Sequence, residues 1–319
     1  MLKGLDFDDV LIEPQPSTVN SRDDVDLSVK LSDDLTLKIP VIASPMKGIV
    51  SPELIIALGN LGGIGILHRF YQDAIELFKD IYEVKDKTEN WGASIGLGSP
   101  SRGAILDAGA KIICIDVANG YTHDVLNFCE SVKALITIKN SQCLLMAGNV
   151  ATAIGAKNLQ EAGVDLIRVG IGSGQLCTTR NITGVGIPQI TAIQDCSEYI
   201  FTVADGGIRN SGDAVKAFVA GADLVMLGSL LATTFESSNN GLIYGMASRK
   251  LQEEYYQSVK SVEGMEKTTE KTQSLEDFIS EFSYGIKSAC TYVGARNLNE
   301  LRQRARFIEA GSGSIKKSF

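Results

Sequence analysis

Residues 162–180 read AGVDLIRVGIGSGQLCTTR. The apolar run DLIRVG (165–170) has the make-up of a buried strand, and it breaks at once into a loop carrying Gly170, Gly172 and Gly174. Glycine lets a backbone turn tightly and approach a ligand closely. The loop delivers one thiol, Cys177, followed by Thr178 and Thr179. A cysteine so placed suits a nucleophile. A flexible loop with a spare cysteine explains the same letters, because an isolated glycine motif is a weak signal. Ahead of the run, Ala162-Gly163-Val164 reads as a helix end with a capping glycine that leads directly into the strand.

Working outward, the same device recurs at Ala108-Gly109-Ala110 and Ala220-Gly221-Ala222, each before another apolar run. The runs are IPVIAS (39–44), GIGILH (63–68), GASIGL (92–97), KIICIDVA (111–118), CLLMAG (143–148), DLIRVG (165–170), IFTVAD (200–205) and DLVMLG (223–228). Most are apolar throughout, as parallel strands covered by helices should be. Eight strands alternating with helical patterns predict a (β/α)8 TIM barrel, and a doubly wound open sheet is the alternative. After the eighth run, residues 235–285 turn polar, with SSNN at 237–240 and EKTTEKTQ at 266–273, and helical periodicity resumes near NLNELRQRARFI (297–308). An excursion there lies at the C-terminal face, where barrel active sites sit. It reads as a flap over a ligand, or as a solvated loop. Residues 1–319 are taken as one barrel domain with this insertion, and the tail GSGSIKKSF is expected to be disordered.

With 44% hydrophobic residues in 319, a large core can form. The net charge of −8 and the lack of a Lys/Arg stripe argue against nucleic-acid or anionic-membrane partners. Six cysteines without a C-x-x-C pair, and only two histidines, argue against a zinc site and fit reduced thiols in a cytoplasm. The opening MLKGLDFDDV lacks the apolar core of a signal peptide, and no run approaches the ~20 apolar residues of a membrane span.

Two further glycine signals follow the last strands: Asp205-Gly206-Gly207 and Gly228-Ser229. Barrels commonly bind phosphate there through backbone N–H groups, although tight βα turns alone would explain them. Asp205, a carboxylate, suits ribose hydroxyls instead. Asp116 and Asn119 end the fourth run on the same face, and Glu263, in VEGM, is a candidate acid/base that would otherwise pass for solvated surface. His68 and His123 read as structural.

The motifs LDFDDVLIEP, IPVIASPM, GGIGILHR, VGIGSGQLCTTR, VADGGI and VMLGS together resemble the IMP dehydrogenase/GMP reductase family over nearly the whole chain. IDVANGY (115–121), CTTRNITGVGIPQ (177–189), CTYVGARNLNEL (290–301) and Glu263-Gly264 resemble the reductase branch. The flap carries no Arg-Tyr pair, which the dehydrogenase branch uses to activate water. No cystathionine-synthase-type regulatory domain separates His68 from Gly92. The resemblance implies NADPH-dependent deamination of GMP to IMP through a thioimidate on Cys177, with Thr179 and Glu263 relaying a proton. It implies nucleotide contacts at Asp205, Gly206, Gly207, Gly228, Ser229, Gly245, Met246, Ala247, Lys260 and Gly264. It implies cofactor contacts at Arg69, Asp116, Val117, Ala118, Ile171 and Gly172. Further cofactor contacts, at Ser21, Arg22, Ser288, Ala289, Cys290 and Thr291, would come from a neighbouring subunit, hence a homotetramer. A potassium-like cation would sit on the carbonyls of Gly172, Gly174, Cys177 and Arg180. Three positions depart from the family pattern: Lys260 for arginine, Lys47 for aspartate and Ala247 for serine. They bear on which purine nucleotide is used. An IMP dehydrogenase, a reductase of another purine nucleotide and a non-catalytic nucleotide sensor are the competing readings.

Overall fold

The computed structural model describes residues 3–310. Each apolar run contains a strand: β1 Val41–Ala43, β2 Ile64–Leu67, β3 Trp91–Ile95, β4 Ile112–Asp116, β5 Leu144–Val150, β6 Leu166–Val169, β7 Phe201–Asp205 and β8 Leu224–Leu227. All pair in parallel in chain order, and β8 closes on β1 with Val225–Leu227 opposite Val41–Ala43. The sheet is a closed barrel, so the open alternative falls. Helices follow the strands in turn: α1 Pro52–Asn60, α2 Ala74–Lys85, α3 Arg102–Asp107, α4 His123–Ile138, α5 Ala153–Glu161, α6 Gln189–Cys196, α7 Ser211–Ala220 and α8 Leu275–Val293.

The Ala-Gly triplets do what their composition predicts. Gly163 has φ +85°, with Gly163 N–H donating to Gln160 and Val164 N–H to Leu159. That pair of bonds satisfies two orphan carbonyls of α5 and turns the chain straight into β6. Gly109 and Gly221 make equivalent bonds.

Strand residues alternate between two buried layers. Ile42, Ile64, Ile66, Ile112, Cys114, Met146, Leu166, Val203, Leu224 and Met226 fill the barrel interior. Their neighbours, among them Val41, Ile113, Leu145, Ile167, Ala204 and Val225, pack outward on the helices. Because both faces are buried, the runs show no polar alternation. An antiparallel hairpin, Val29–Ser32 with Leu35–Leu37, adds Leu31, Leu35 and Leu37 to the interior layer. These leucines share a cluster with the first residues of β2, β4, β6 and β8, so the hairpin plugs the N-terminal end and leaves the C-terminal end as the mouth. A second ribbon, Val10–Ile12 with Phe307–Glu309, ties together the two ends of the described chain.

Two sequence expectations need correction past β8. Helical structure does not wait until residue 297: α8 starts at Leu275, where Leu275, Phe278, Ile279, Phe282, Ile286, Cys290 and Val293 form one buried stripe beneath a charged outer face. The later helix spans only Leu298–Arg304, and Phe307–Glu309 is a strand. Between β8 and α8, Leu242–Tyr244 pairs with Glu266–Thr268, and a short helical stretch runs from Arg249 to Tyr256. The tail GSGSIKKSF lies outside the described residues.

Candidate active site

The loop after β6 reaches over the mouth. At Gly170 (φ +147°) a Cβ would stand 2.1 Å from the Asp205 carbonyl oxygen, so only glycine lets β6 and β7 end this close together. The turn closes when Cys177 N–H donates to Gly174 O (3.0 Å). The Cys177 thiol then donates to Thr179 Oγ1 (3.1 Å), and that hydroxyl donates to Glu263 Oε2 (2.9 Å). Glu263 comes from the segment between β8 and α8, 84 residues away. Backbone bonds hold it there: Thr178 N–H to Glu263 O (2.8 Å), Met265 N–H to Leu176 O (2.9 Å) and Glu263 N–H to Ala247 O (3.1 Å). The thiol, hydroxyl and carboxylate therefore form one continuous chain along which a proton can move.

Beside it, Gly206 (φ +96°) and Gly207 (φ +82°) take left-handed conformations at the end of β7. A Cβ on Gly206 would lie 2.7 Å from Ser173 Oγ, and one on Gly228 would lie 2.8 Å from Met46 Sδ. These positions stay bare, leaving backbone exposed to a cavity of about 710 Å³. Gly228, Ser229, Gly245, Met246, Ala247 and Gly264 line the same cavity, with Cys177, Thr179 and Glu263 on its wall. So do Arg69, Asp116, Val117, Ala118, Asn119, Ile171, Gly172 and Gly174.

The floor of the cavity is a charged network that sequence reasoning overlooked. Arg168, in the middle of β6, binds Asp116 Oδ1 through Nη1 and Asp205 Oδ2 through Nη2 (2.8 Å) and Nε (3.1 Å). Asn149 Nδ2 also donates to Asp205 Oδ2 (2.8 Å), and Arg69 Nε donates to Asp116 Oδ2 (3.2 Å). Burial alone would raise the Asp116 carboxyl, but Arg168 and Arg69 outweigh it and hold the group below its ordinary value. An available signal was the arginine itself: a charge inside an apolar strand needs buried partners.

Some predicted residues lie elsewhere. Lys260 does not line the cavity; its N–H is tied to Gln252 Oε1 (2.8 Å). Arg180 packs its side chain against Gly172 and Gly186 and donates to Asp6 and the Ile187 carbonyl. Arg22, next to Ser21, places its guanidinium 4.6 Å above the exposed Tyr284 ring of α8, one turn before Ser288, Ala289, Cys290 and Thr291. The Cys290 side chain is fully buried, and burial pushes its thiol up to about 11. His68 accepts the Phe70 N–H on Nδ1 and stacks on Tyr71, a structural role. Lys47 stands 3.8 Å from Glu254 of the flap, which accounts for a cation at that position. Among the described residues no group of three His, Cys, Asp or Glu could hold a metal ion.

Fold and site together define a (β/α)8-barrel protein with a cysteine-centred site and a glycine-lined cradle at the mouth. Comparison with known proteins refines this. The domain model described as IMP dehydrogenase / GMP reductase matches residues 4–319, and the chain belongs to that family. It is 36% identical to GMP reductase 2 of Homo sapiens, over 95% of this chain and 93% of the relative. It is 34% identical to a GMP reductase of Vibrio atlanticus (95% and 94% covered). With an inosine-5′-monophosphate dehydrogenase of Cryptosporidium parvum it shares 30% identity (99% and 94% covered).

Proposed function

We propose that the chain is a GMP reductase, converting GMP to IMP and ammonia with NADPH as reductant. The observation that carries this reading is the unbroken chain from Cys177 through Thr179 to Glu263, set between a bare glycine cradle and the Asp116 end of one cavity. The thiol proton passes through Thr179 to Glu263, and the sulfur attacks purine C2. The C2–N2 bond breaks as Glu263 returns that proton to the leaving nitrogen, so ammonia departs and sulfur remains bonded to C2. The reduced nicotinamide, when bound, would supply hydride to C2. As the C–S bond breaks its electron pair returns to sulfur, and a solvent proton restores the thiol.

The surroundings support each ligand. Backbone around Gly206, Gly207, Gly228 and Ser229 offers N–H groups to a phosphate. All three bonds accepted by the Asp205 carboxylate fall on Oδ2, which leaves Oδ1 for a ribose hydroxyl. Gly245, Met246, Ala247 and Gly264 border the base. The other end, with Arg69, Asp116, Val117, Ala118, Ile171 and Gly172, suits a nicotinamide riboside. Carbonyls of Gly172, Gly174, Cys177 and Arg180 would give potassium a neutral oxygen set, with lone pairs left on Gly174 and Arg180 after the bonds they already accept. Ser21, Arg22 and Ser288–Thr291 would serve the cofactor of a neighbouring subunit in a homotetramer. All six cysteines are free, which suits a reducing cytoplasm. Among the described residues, no helix is long and apolar enough to cross a membrane.

The test is NADPH absorbance with GMP, alongside NAD with IMP, in potassium buffer with ammonia assayed. NADPH loss matched by ammonia is expected. NADH formation from IMP would move the chain to the dehydrogenase branch, and silence in both assays would sink the proposal.

A further inference from the structure

Arg168 occupies a place where an apolar strand should carry an apolar side chain. It is 6% exposed and lies inside the barrel between the ends of β4 and β7. Two carboxylates, Asp116 and Asp205, meet on its guanidinium from opposite sides, and its Nη1 also reaches Cys114 Sγ (3.7 Å). Asp205 stands at the glycine cradle, and Asp116 stands at the Val117–Ala118 end of the cavity. A planar fork can hold two carboxylates in fixed orientations at once, which a point charge on a flexible stem cannot do. Asn149 completes the frame from β5: its Nδ2 donates both to Asp205 and to the Gly170 carbonyl (2.8 Å each), so the Cys177 loop is anchored to the same carboxylate.

We propose that Arg168 is a positioning residue that fixes the nucleotide-side carboxylate Asp205 and the cofactor-side carboxylate Asp116 in one rigid frame, and so sets how the two ligands meet over Cys177. The inference rests on the nucleotide and nicotinamide assignments made above. A buried ion cluster kept for stability alone would have no need to end in two carboxylates that both face the cavity. Removing the guanidinium would also change when Asp116 is ionised. Around that carboxyl stand Arg168, Arg69 with Tyr256 behind it, Cys114 on its own strand and Asp205 across the arginine.

The deciding experiment measures GMP binding and NADPH binding separately, by calorimetry and by cofactor fluorescence, in wild-type protein, Arg168→Lys and Arg168→Met. Arg168→Lys keeps a charge but loses the fork, and both dissociation constants should rise about ten-fold while the thermal midpoint stays close to wild type. In Arg168→Met the acid limb of kcat/KM for NADPH should move to higher pH, because Asp116 loses its principal countercharge. Arg168→Lys that binds both ligands as wild type does, or that loses only thermal stability, overturns the positioning role. So does an unmoved acid limb in a folded Arg168→Met. Wild-type protein that binds neither GMP nor NADPH would instead sink the underlying functional reading.

Discussion

Cys177 is set apart from the other five cysteines by where its chain segment leaves it. Cys114, Cys129, Cys143, Cys196 and Cys290 are buried, and burial pushes their thiols up to about 11 or 12. Cys177 is half-buried in the cavity wall with a hydroxyl and a carboxylate in line behind it. Cys177→Ala should abolish NADPH oxidation while GMP still binds by calorimetry; residual turnover near wild type would refute covalent catalysis. Glu263→Gln keeps the shape but cannot hold and return the proton. Ammonia release in single turnover should slow by ~10²-fold or more, with hydride transfer from a preformed intermediate much less affected. Equal losses in both steps would contradict the relay. His68 offers a test of a different kind. Burial, with Lys47 nearby, lowers its value from 6.5 to about 4. The unfolded chain takes up that proton near 6.5 and the folded one only near 4. Its contribution to stability is therefore complete above 6.5 and is lost as the pH falls toward 4, up to about 3 kcal/mol. His68→Asn, which can still accept the Phe70 N–H, should show a shallower fall in thermal midpoint over that window. An identical fall would place the acid sensitivity elsewhere. At this scale, sequence pointed to residues that announce themselves through motif or loop position, such as Cys177 and Gly206, which line one cavity. It concealed Arg168 and Asn149, whose significance depends on which strands become neighbours, and it gave no sign of the surroundings of Lys260, which depend on the path of the flap.

Among the elements, the eight barrel strands were legible because burial on both faces leaves a continuous apolar run, and the helix ends because their capping glycines are a local device. The plug hairpin at 29–37 and the start of α8 were not. Short strands of three or four residues leave little period to read, and α8 hides its apolar stripe under a charged face. The flap is held by bonds no local pattern discloses. Gln252 is buried; its Nε2 donates to the Ala247 carbonyl (3.1 Å) and the Ser261 carbonyl (2.7 Å), and its Oε1 accepts from Lys260 N–H (2.8 Å). Phe70, Tyr244 and Leu251 make a small apolar cluster beside it, separate from the barrel core. Gln252→Ala strands three backbone groups, a local cost of about 1–3 kcal/mol for each one left unsatisfied. Because that cost falls on the flap and not on the barrel, limited proteolysis between residues 247 and 263 should accelerate and kcat should drop several-fold. The main thermal transition should stay in place. A large fall in the barrel's melting temperature would mean the flap and barrel are one cooperative unit.

For the molecule as a whole, the barrel explains why residues so distant in sequence share one cavity: every strand ends at the same mouth. Arg22 sits over Tyr284 on the exposed side of α8, and Ser288, Ala289 and Thr291 are half-buried further along the same helix, while Cys290 between them faces the core; Tyr284 and Tyr292 are 51% and 69% exposed. If this face completes the cofactor site of an adjacent subunit, activity belongs to pairs of subunits. Arg22→Glu should then weaken NADPH use while leaving GMP binding intact, in a protein that light scattering still finds to be oligomeric. Co-expressing Arg22→Glu and Cys177→Ala subunits supplies the decisive contrast. Cys177→Ala alone is inactive and Arg22→Glu alone is impaired at low NADPH, but a mixed ring contains sites where an intact thiol faces an intact Arg22 surface. With random assembly from equal amounts, about a quarter of sites meet both conditions, and activity should return to that order. Mixed oligomers as inactive as their parents would mean that each chain holds a complete site of its own.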